Sequence, residues 1–402
     1  MREGRDQLGR RWSIVLAGGD GVRMQPAVKR WVGRTIPNHY CRFLGTRSVF
    51  QHTLDRTFSV TSPARTLVVV GRGHQEAWPQ IGERNPGMVL VQPRNAGTAA
   101  GLFLPLTYIR ARDPEGTVLI APANQFVYPE ERFLGETLYA IRAAEKLPEK
   151  VVMLAARPDA PDTEYGWITS GQELVRLGLR SVRAVNTFLH NPEPQLARLA
   201  YASGAVWSTC VMAGHVELLW RLGHRVLPEM MTLFERLAQV INTPKEPQVL
   251  RDIYERMPVR SLARDLLAPA PASAAVMEMR GVWWSEWSGP DRVMKTLARL
   301  GRDTTSVTQY LNAAAAEFQS ARSLDVAMAQ HGWRNMGWAA AEGAPVFVGM
   351  DGRPEARPPL RHSGVYRLTR QGGVAANGNN ETGSRPDNLV ETQPRLRTSV
   401  DL

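Results

Sequence analysis

Five short apolar, β-prone runs recur along the N-terminal part of this chain, and they are continuous rather than alternating: "SIVLA" (13–17), "TLVVVG" (66–71), "MVLVQ" (88–92), "TVLIAP" (117–122) and "VVMLAA" (151–156). A strand that is apolar on both faces must be covered on both, which implies parallel strands with helices above and below. Helical patterns lie between them. "VFQHTLDRTFSV" (49–60) places Phe50, Leu54, Thr57 and Phe58 on one face, and "AAGLFLPLTYIRA" (99–111) reads as a more deeply buried helix despite Pro105. Strand, helix, strand in this order predicts an α/β fold with ligands at the carboxyl ends of the strands. From 192 to 268 the pattern turns helical, and a strand pair is expected within 274–287.

The first run ends in "LAGGDGVRM" (16–24). Gly18, Gly19 and Gly21 let the backbone turn sharply and bring N–H groups close to an anion, and Arg23 adds a donor fork suited to phosphate oxygens. Such a loop serves either as a phosphate cradle or as a plain strand-to-helix turn, and on its own it leaves both open. A nicotinamide-binding fingerprint fits poorly, because Met24 stands where the third glycine is required.

With 402 residues the chain can bury a large core. Its two cysteines, Cys41 and Cys210, form neither a disulfide framework nor a thiolate metal site. The start is charged with no apolar leader behind it, and no stretch reaches the ~18 apolar residues of a membrane span. A cytoplasmic protein without membrane contact is expected. The net charge of +11 raises the question of nucleic acid. Arginines are scattered from Arg2 to Arg397 without a dense block or a nucleic-acid-binding motif, so no such partner is expected. The expected organisation is a basic arm (1–11), a main domain (12–300), a helical extension (301–348) and a tail (349–402) whose Gly- and Asn-rich stretch is too poor in apolar residues to form a core.

Several motifs, in order, resemble the sugar-1-phosphate nucleotidyltransferases, most closely the mannose-1-phosphate guanylyltransferase branch, over about 12–300. They are the loop "LAGGDGVRM", the block "PNHYCRFLGTRSVFQHTLDR" (37–56), "VQPRNAGTAAG" (91–101), "EYGWI" (164–168) and "GVWWSEWSGPDRVMKTL" (281–297). The resemblance implies a Rossmann-like, glycosyltransferase-A-like fold: a mixed, mostly parallel sheet covered by helices on both faces. It implies that Leu16, Ala17, Gly18, Gly19, Gly21, Asn95, Gly97 and Thr98 bind nucleotide and that Gly166 leaves room for a hexose. It also implies an in-line attack by a sugar 1-phosphate on the α-phosphate of a nucleoside triphosphate, GTP foremost, giving GDP-mannose and pyrophosphate. Such a reaction needs positioning and charge stabilisation, with Mg²⁺ as the expected cofactor. A homodimer, or a heteromer with an active relative, is a further implication of the family.

Charged positions depart from that pattern. The family's first metal-binding aspartate is Asn124 here, and the second is Glu286. The lysine after the proline is Asn38, followed by His39 in place of glutamine. Where the family grips sugar and phosphate with glutamate and lysine, this chain has His190 and Asn191, and Ser208 replaces an asparagine after Trp207. Arg23, Asn124 and Glu286 are the expected catalytic positions, with Asn124 and Glu286 as the expected metal positions. Asn38, Gly166, His190, Asn191 and Ser208 are the expected sugar-phosphate positions, and Lys29, Arg30, Arg34 and Arg42 are nearby sources of charge. Losing one preorganised electrostatic contact costs about 10²–10³ in rate. Two outcomes therefore stay open: an enzyme with an altered, slow site, or a non-catalytic paralogue that binds nucleotide or an active relative as a regulatory partner. Trp283, Trp284 and Trp287 are expected to pack the core or frame the sugar pocket.

Overall fold

The computed structural model describes residues 10–302 and 365–366. The chain divides into two compact units, Met1–Leu368 and Thr369–Leu402, and every described residue belongs to the first. Of the expected arm only Arg10 and Arg11 are described, of the helical extension only Gly301 and Arg302, and of the tail only Val365 and Tyr366. The rest of those three segments lies outside the described residues.

Each of the five apolar runs forms a strand. They are β1 (Arg11–Ala17), β2 (Thr66–Gly71), β3 (Met88–Gln92), β4 (Thr117–Pro122) and, after β5 (Gln125–Tyr128), β6 (Val151–Ala156). All residues of β2, β3 and β6 are buried, as continuous apolar strands require. β1 pairs in parallel with β2 on one side and β4 on the other, and Leu16 stands opposite both Val69 and Pro122. The three strands therefore end at one level, where the glycine loop leaves the sheet.

Helices α1 (Gln25–Val32), α2 (Val49–Phe58), α3 (Ala77–Gly82), α4 (Gly97–Arg110) and α5 (Glu130–Lys146) connect and cover these strands. Ser48 and Gln51 form a reciprocal capping box that starts α2: Ser48 Oγ accepts from Gln51 N at 3.0 Å, and Gln51 Oε1 accepts from Ser48 N at 2.9 Å. In α4 every residue from Ala99 to Ile109 is buried, Pro105 included. That proline removes one intrahelical donor, and it is buried between Leu104 and Leu106, which pack into the central cluster.

The later half differs from the expected helical run across 192–268. A hairpin, β7 (Trp167–Leu177) and β8 (Arg180–Leu189), is followed by β9 (Val206–His215) within that span, then by β10 (Ala274–Glu278) and β11 (Trp283–Glu286). β9 inserts antiparallel between β4 and β6. Its "VWSTCVMAGH" carries β-branched and aromatic residues but also polar ones, so no continuous apolar run marks it. Hairpin residues alternate toward solvent and are hidden from an apolar search for the same reason. The ten-stranded sheet runs β12-β3-β2-β1-β4-β9-β6-β10-β8-β7, where β12 is Val365–Tyr366, antiparallel to β3. One face packs on α4 and the helices Val216–Val226 and Pro228–Ala238, the other on α5 and its neighbours. Among the described residues, no helix is long and apolar enough to cross a membrane.

A separate two-stranded sheet matters most for function. β11 pairs antiparallel with β5, with Glu286 opposite Gln125, and so Asn124 and Glu286, 162 positions apart in sequence, meet beside the end of β4.

Candidate functional site

Where β1 ends, the backbone folds back against side chains that leave no room for a Cβ. An added Cβ at Gly18 would strike the Gln92 amide, and at Gly21 (φ +60°) it would strike Asn38 Oδ1. At Gly21 glycine is required by the left-handed turn as well as by packing, whereas at Gly18 the Gln92 side chain would have to move. Beneath the loop lies a buried polar layer. Ala17 O accepts from His39 Nε2 and from the Tyr40 hydroxyl, each at 3.1 Å. Burial, reinforced by neighbouring His74, pulls His39 down to about 3, so its ring is neutral at pH 7. Burial likewise pushes the Tyr40 hydroxyl well above the ordinary tyrosine value.

Asp20, in the middle of the loop, ties it to two neighbouring turns. His74 Nδ1 accepts from Gly71 N at 3.1 Å, and its Nε2 meets Asp20 Oδ1 at 3.1 Å. Asn95 Nδ2 donates to Asp20 Oδ2 at 2.9 Å, and Asn95 Oδ1 accepts from Gly97 N at 3.0 Å. Burial pushes the Asp20 carboxyl up, but the hydrogen bonds from Asn95 and His74 outweigh it, and the group sits below the ordinary carboxylate value. Neither Asp20 nor His74 figured among the expected site residues. A histidine three residues past the end of a buried strand, with an acid in the glycine loop, was the available signal.

Gly97 opens α4 at φ +83°, and a Cβ there would collide with the backbone of Arg260. Thr98 Oγ1 accepts from Leu262 N at 2.8 Å. Of the expected nucleotide residues, the structure thus brings together Gly18, Gly19 and Gly21 with Asn95, Gly97 and Thr98 around one strand end. Leu16 and Ala17 end β1, and their carbonyls are taken up within the fold, Leu16 O accepting from Ala123 N at 3.0 Å and Ala17 O from His39 and Tyr40.

The opposite wall carries the expected charged positions. Asn124 Nδ2 donates to Glu286 Oε1 at 3.1 Å, while Asn124 O accepts from Trp287 N at 2.9 Å. Asn38 is buried and donates from Nδ2 to Trp287 O at 2.5 Å. The Asn124–Glu286 pair does not fit a resident Mg²⁺. It offers one carboxylate and one neutral amide, and the amide N–H already occupies a carboxylate oxygen; reversing the amide would set two acceptors against each other. No cluster of three His, Cys, Asp or Glu suited to a metal occurs among the described residues.

On the sugar side, Gly166 and Ser208 are brought together, with Ser208 N donating to Gly166 O at 2.8 Å. His190 and Asn191 follow β8 directly, where Leu189 stands opposite Trp167, so they lie beside Gly166; both are exposed. Arg23 turns away from its own loop: its guanidinium lies 3.4 Å from Glu164. Glu164 also meets Arg292 at 3.2 Å, and Arg292 bonds to Asp162 at 3.0 Å and lies 3.5 Å over the Tyr165 ring. This cation on the helix Pro290–Arg299 was also not among the expected residues, and only the fold places it beside "EYGWI". Of the other charge sources, Arg34 pairs with Glu76 at 3.1 Å. Trp284 and Trp287 are buried, and Trp287 packs against Phe43 and Phe126.

Comparison with known proteins follows the same pattern. A protein-family model described as "Nucleotidyl transferase" matches residues 12–228, more than half of the chain. The chain is 27% identical over 195 residues to the xanthan biosynthesis protein XanB of Xanthomonas campestris pv. campestris, covering 48% of this chain and 39% of that protein. It is 26% identical over 202 residues to a mannose-1-phosphate guanylyltransferase of Escherichia coli, covering 48% and 40%. It therefore spans well under half the length of these relatives. Among solved structures, one from Thermus thermophilus titled a mannose-1-phosphate geranyltransferase superposes with a TM-score of 0.58 at 24% identity, over 69% of this chain and 76% of that one. A mannose-6-phosphate isomerase from Helicobacter pylori superposes at 0.53 with 17% identity, over 69% and 100%. At these identities the superpositions speak to the fold alone.

Proposed function

We propose, for a chain that belongs to the nucleotidyl transferase family, that it binds GTP at the glycine loop and transfers its guanylyl group to mannose 1-phosphate, slowly. The observation that carries this reading is the convergence of Gly18, Gly21, Asn95 and Gly97 at the end of β1, each held in a conformation that its neighbours dictate. The nucleotide lies across this strand end, with the base toward Asn95, Gly97 and Thr98 and the phosphates along the loop. The sugar phosphate enters past Gly166, Ser208, His190 and Asn191. Arg23 leaves its exposed contact with Glu164 to meet the phosphates, an exchange that costs little because such a pair contributes about 0–1 kcal/mol. In-line attack then needs no protein nucleophile, only approach and charge stabilisation.

The transfer side is short of charge, which sets the rate. Asn38, Asn124 and Asn191 are neutral, and each missing contact costs about 10²–10³ if effects were independent. The hydrogen bond between Asn124 and Glu286 favours a second reading, a nucleotide-binding regulatory partner of an active relative. Pyrophosphate release from GTP and mannose 1-phosphate, with Arg23→Ala as the control for contaminating enzyme, decides between them. Slow release that disappears in the control supports transfer. GTP binding without release supports the regulatory reading, and absence of GTP binding contradicts both.

A further inference from the structure

We propose that the cavity between α2 and the β5–β11 sheet is an effector site for a small planar aromatic ring that carries an ammonium group, and that filling it fixes Trp287 and with it two asparagines of the transfer side. This goes beyond nucleotide binding and does not depend on it.

The cavity measures about 270 Å³, and no residue of the glycine loop lines it. A hollow of about 150 Å³ with apolar walls holds a benzene, so this one has room for a fused two-ring system with a short arm. Its floor is aromatic. Phe126 lies stacked on Trp287 with ring centroids 5.5 Å apart, and Phe43 meets the same indole edge-on at 5.4 Å. Such faces take a further ring in offset or edge-on contact. Tyr128, on the rim, is 58% exposed and gives an entering ring one more surface to cover.

Charge at the mouth selects the other end of the ligand. Arg56 is buried, and its guanidinium donates to Glu130 Oε1 at 3.0 Å; His52 Nδ1 meets the same oxygen at 3.1 Å. Burial pushes the Glu130 carboxyl up, but His52 and Arg56 outweigh it and hold the group down at about 2, so it is ionised at pH 7. Arg47 is paired with Asp55. Glu131 also lines the cavity, is exposed and pairs with no cation among the described residues. Each arginine of the lining is thus matched by a carboxylate, and one carboxylate is left over. An ammonium complements that remainder, whereas a carboxylate on the ligand is repelled by it.

Trp287 connects the cavity to the transfer side. Its ring lines the hollow, while its backbone N donates to Asn124 O at 2.9 Å and its backbone O accepts from Asn38 Nδ2. Gln125 and Phe126, next in the chain after Asn124, line the cavity as well. A ring seated against this indole therefore opposes any opening that breaks the two hydrogen bonds. The competing account is a packing gap that takes up water and has no effect on Trp287.

The test titrates the full chain by calorimetry with tryptamine, neutral indole and indole-3-acetate, and follows amide hydrogen exchange of the Trp287 segment by mass spectrometry. Tryptamine is expected to bind with a Kd of about 0.1–1 mM, the range for a ligand of this size. It should bind about fivefold tighter than indole, the scale of one exposed ion pair, and indole-3-acetate should bind weakest. At ten times Kd, exchange at Trp287 should slow by about tenfold. Glu131→Gln, an exposed change, should bring tryptamine down to the affinity of indole. Leu44→Trp should fill the cavity and abolish binding of both; if it does not fold, Glu131→Gln still carries the test. Equal affinity for the three probes, no binding of any, a tryptamine preference that survives in Glu131→Gln, or binding unchanged in a folded Leu44→Trp overturns the site. Binding with unchanged exchange at Trp287 overturns the link to the transfer side. GTP enters none of these measurements, so failure here leaves the nucleotide reading standing, and failure of that reading leaves this site standing.

Discussion

At the mouth of β1 the expected positions are constrained by backbone shape; where β11 meets β5 the expected positions differ in charge, an amide, Asn124, standing against a carboxylate, Glu286. Gly21 is packed against Asn38 and Gly97 against the Arg260 backbone, both at positive φ, so a change at either disturbs the fold, while Gly18 has only the Gln92 side chain against it. Asn124, by contrast, satisfies Glu286 with a hydrogen bond and leaves no buried group unpaired at that pair. Amide for acid is nearly isosteric, and packing does not resist it. The fold therefore constrains the residues at the mouth of β1 and leaves the charge at Asn124 unconstrained.

The comparison breaks first at Gly97. Valine there combines a left-handed backbone conformation with a clash against main chain that cannot rotate away. A loss of about 4–5 kcal/mol is expected in denaturant titration, together with loss of GTP binding. Stability and binding unchanged would mean that the shape of this strand end is not what holds the nucleotide side together.

Acid should strike the same region next. His39 is neutral and buried, its folded-state value depressed from 6.5 to about 3. The unfolded chain binds the proton more readily, so stability is full above about pH 6.5 and falls as pH drops toward about 3. The loss attributable to this ring is about 4–5 kcal/mol across that window. His39→Gln should flatten the pH dependence measured by chemical denaturation between those limits. An equally steep dependence in the variant would place the acid sensitivity elsewhere.

A smaller effect sharpens the contrast. Arg23→Ala should change stability by about 0–1 kcal/mol, since its pair with Glu164 is exposed on both sides. It should nonetheless weaken GTP binding. A large stability loss would show that Arg23 is a structural strut rather than a reserve of charge.

Much of the nucleotide half was legible because buried parallel strands announce themselves. The runs at 66–71, 88–92 and 117–122 coincide with β2, β3 and β4, and the loop at Gly18 follows from where β1 must end. β9 and the β7–β8 hairpin were hidden because polar residues interrupt them. The departures at Asn38, Asn124 and Asn191 were visible as residue types, but their consequences were not. Only the fold shows that Asn38 is buried against Trp287, so that a lysine there would carry its ammonium into a closed space. Pairing of β5 with β11 is likewise a tertiary fact, and it alone tells that Asn124 and Glu286 bond to each other. The tie from Asp20 to His74 and Asn95 spans three separate turns, beyond the reach of any local pattern.

The most direct test of the account restores charge where the structure has room for it. Pyrophosphate release from GTP and mannose 1-phosphate with Mg²⁺ should be compared between wild type and the variant Asn124→Asp/Asn191→Lys, with GTP affinity measured in parallel. The account predicts turnover raised by about 10² or more, while GTP affinity stays within about twofold. Turnover near the common ~10 s⁻¹ in wild type, or no gain in a folded variant that binds GTP normally, would contradict the claim that this chain keeps its nucleotide side and lacks only charge on the other.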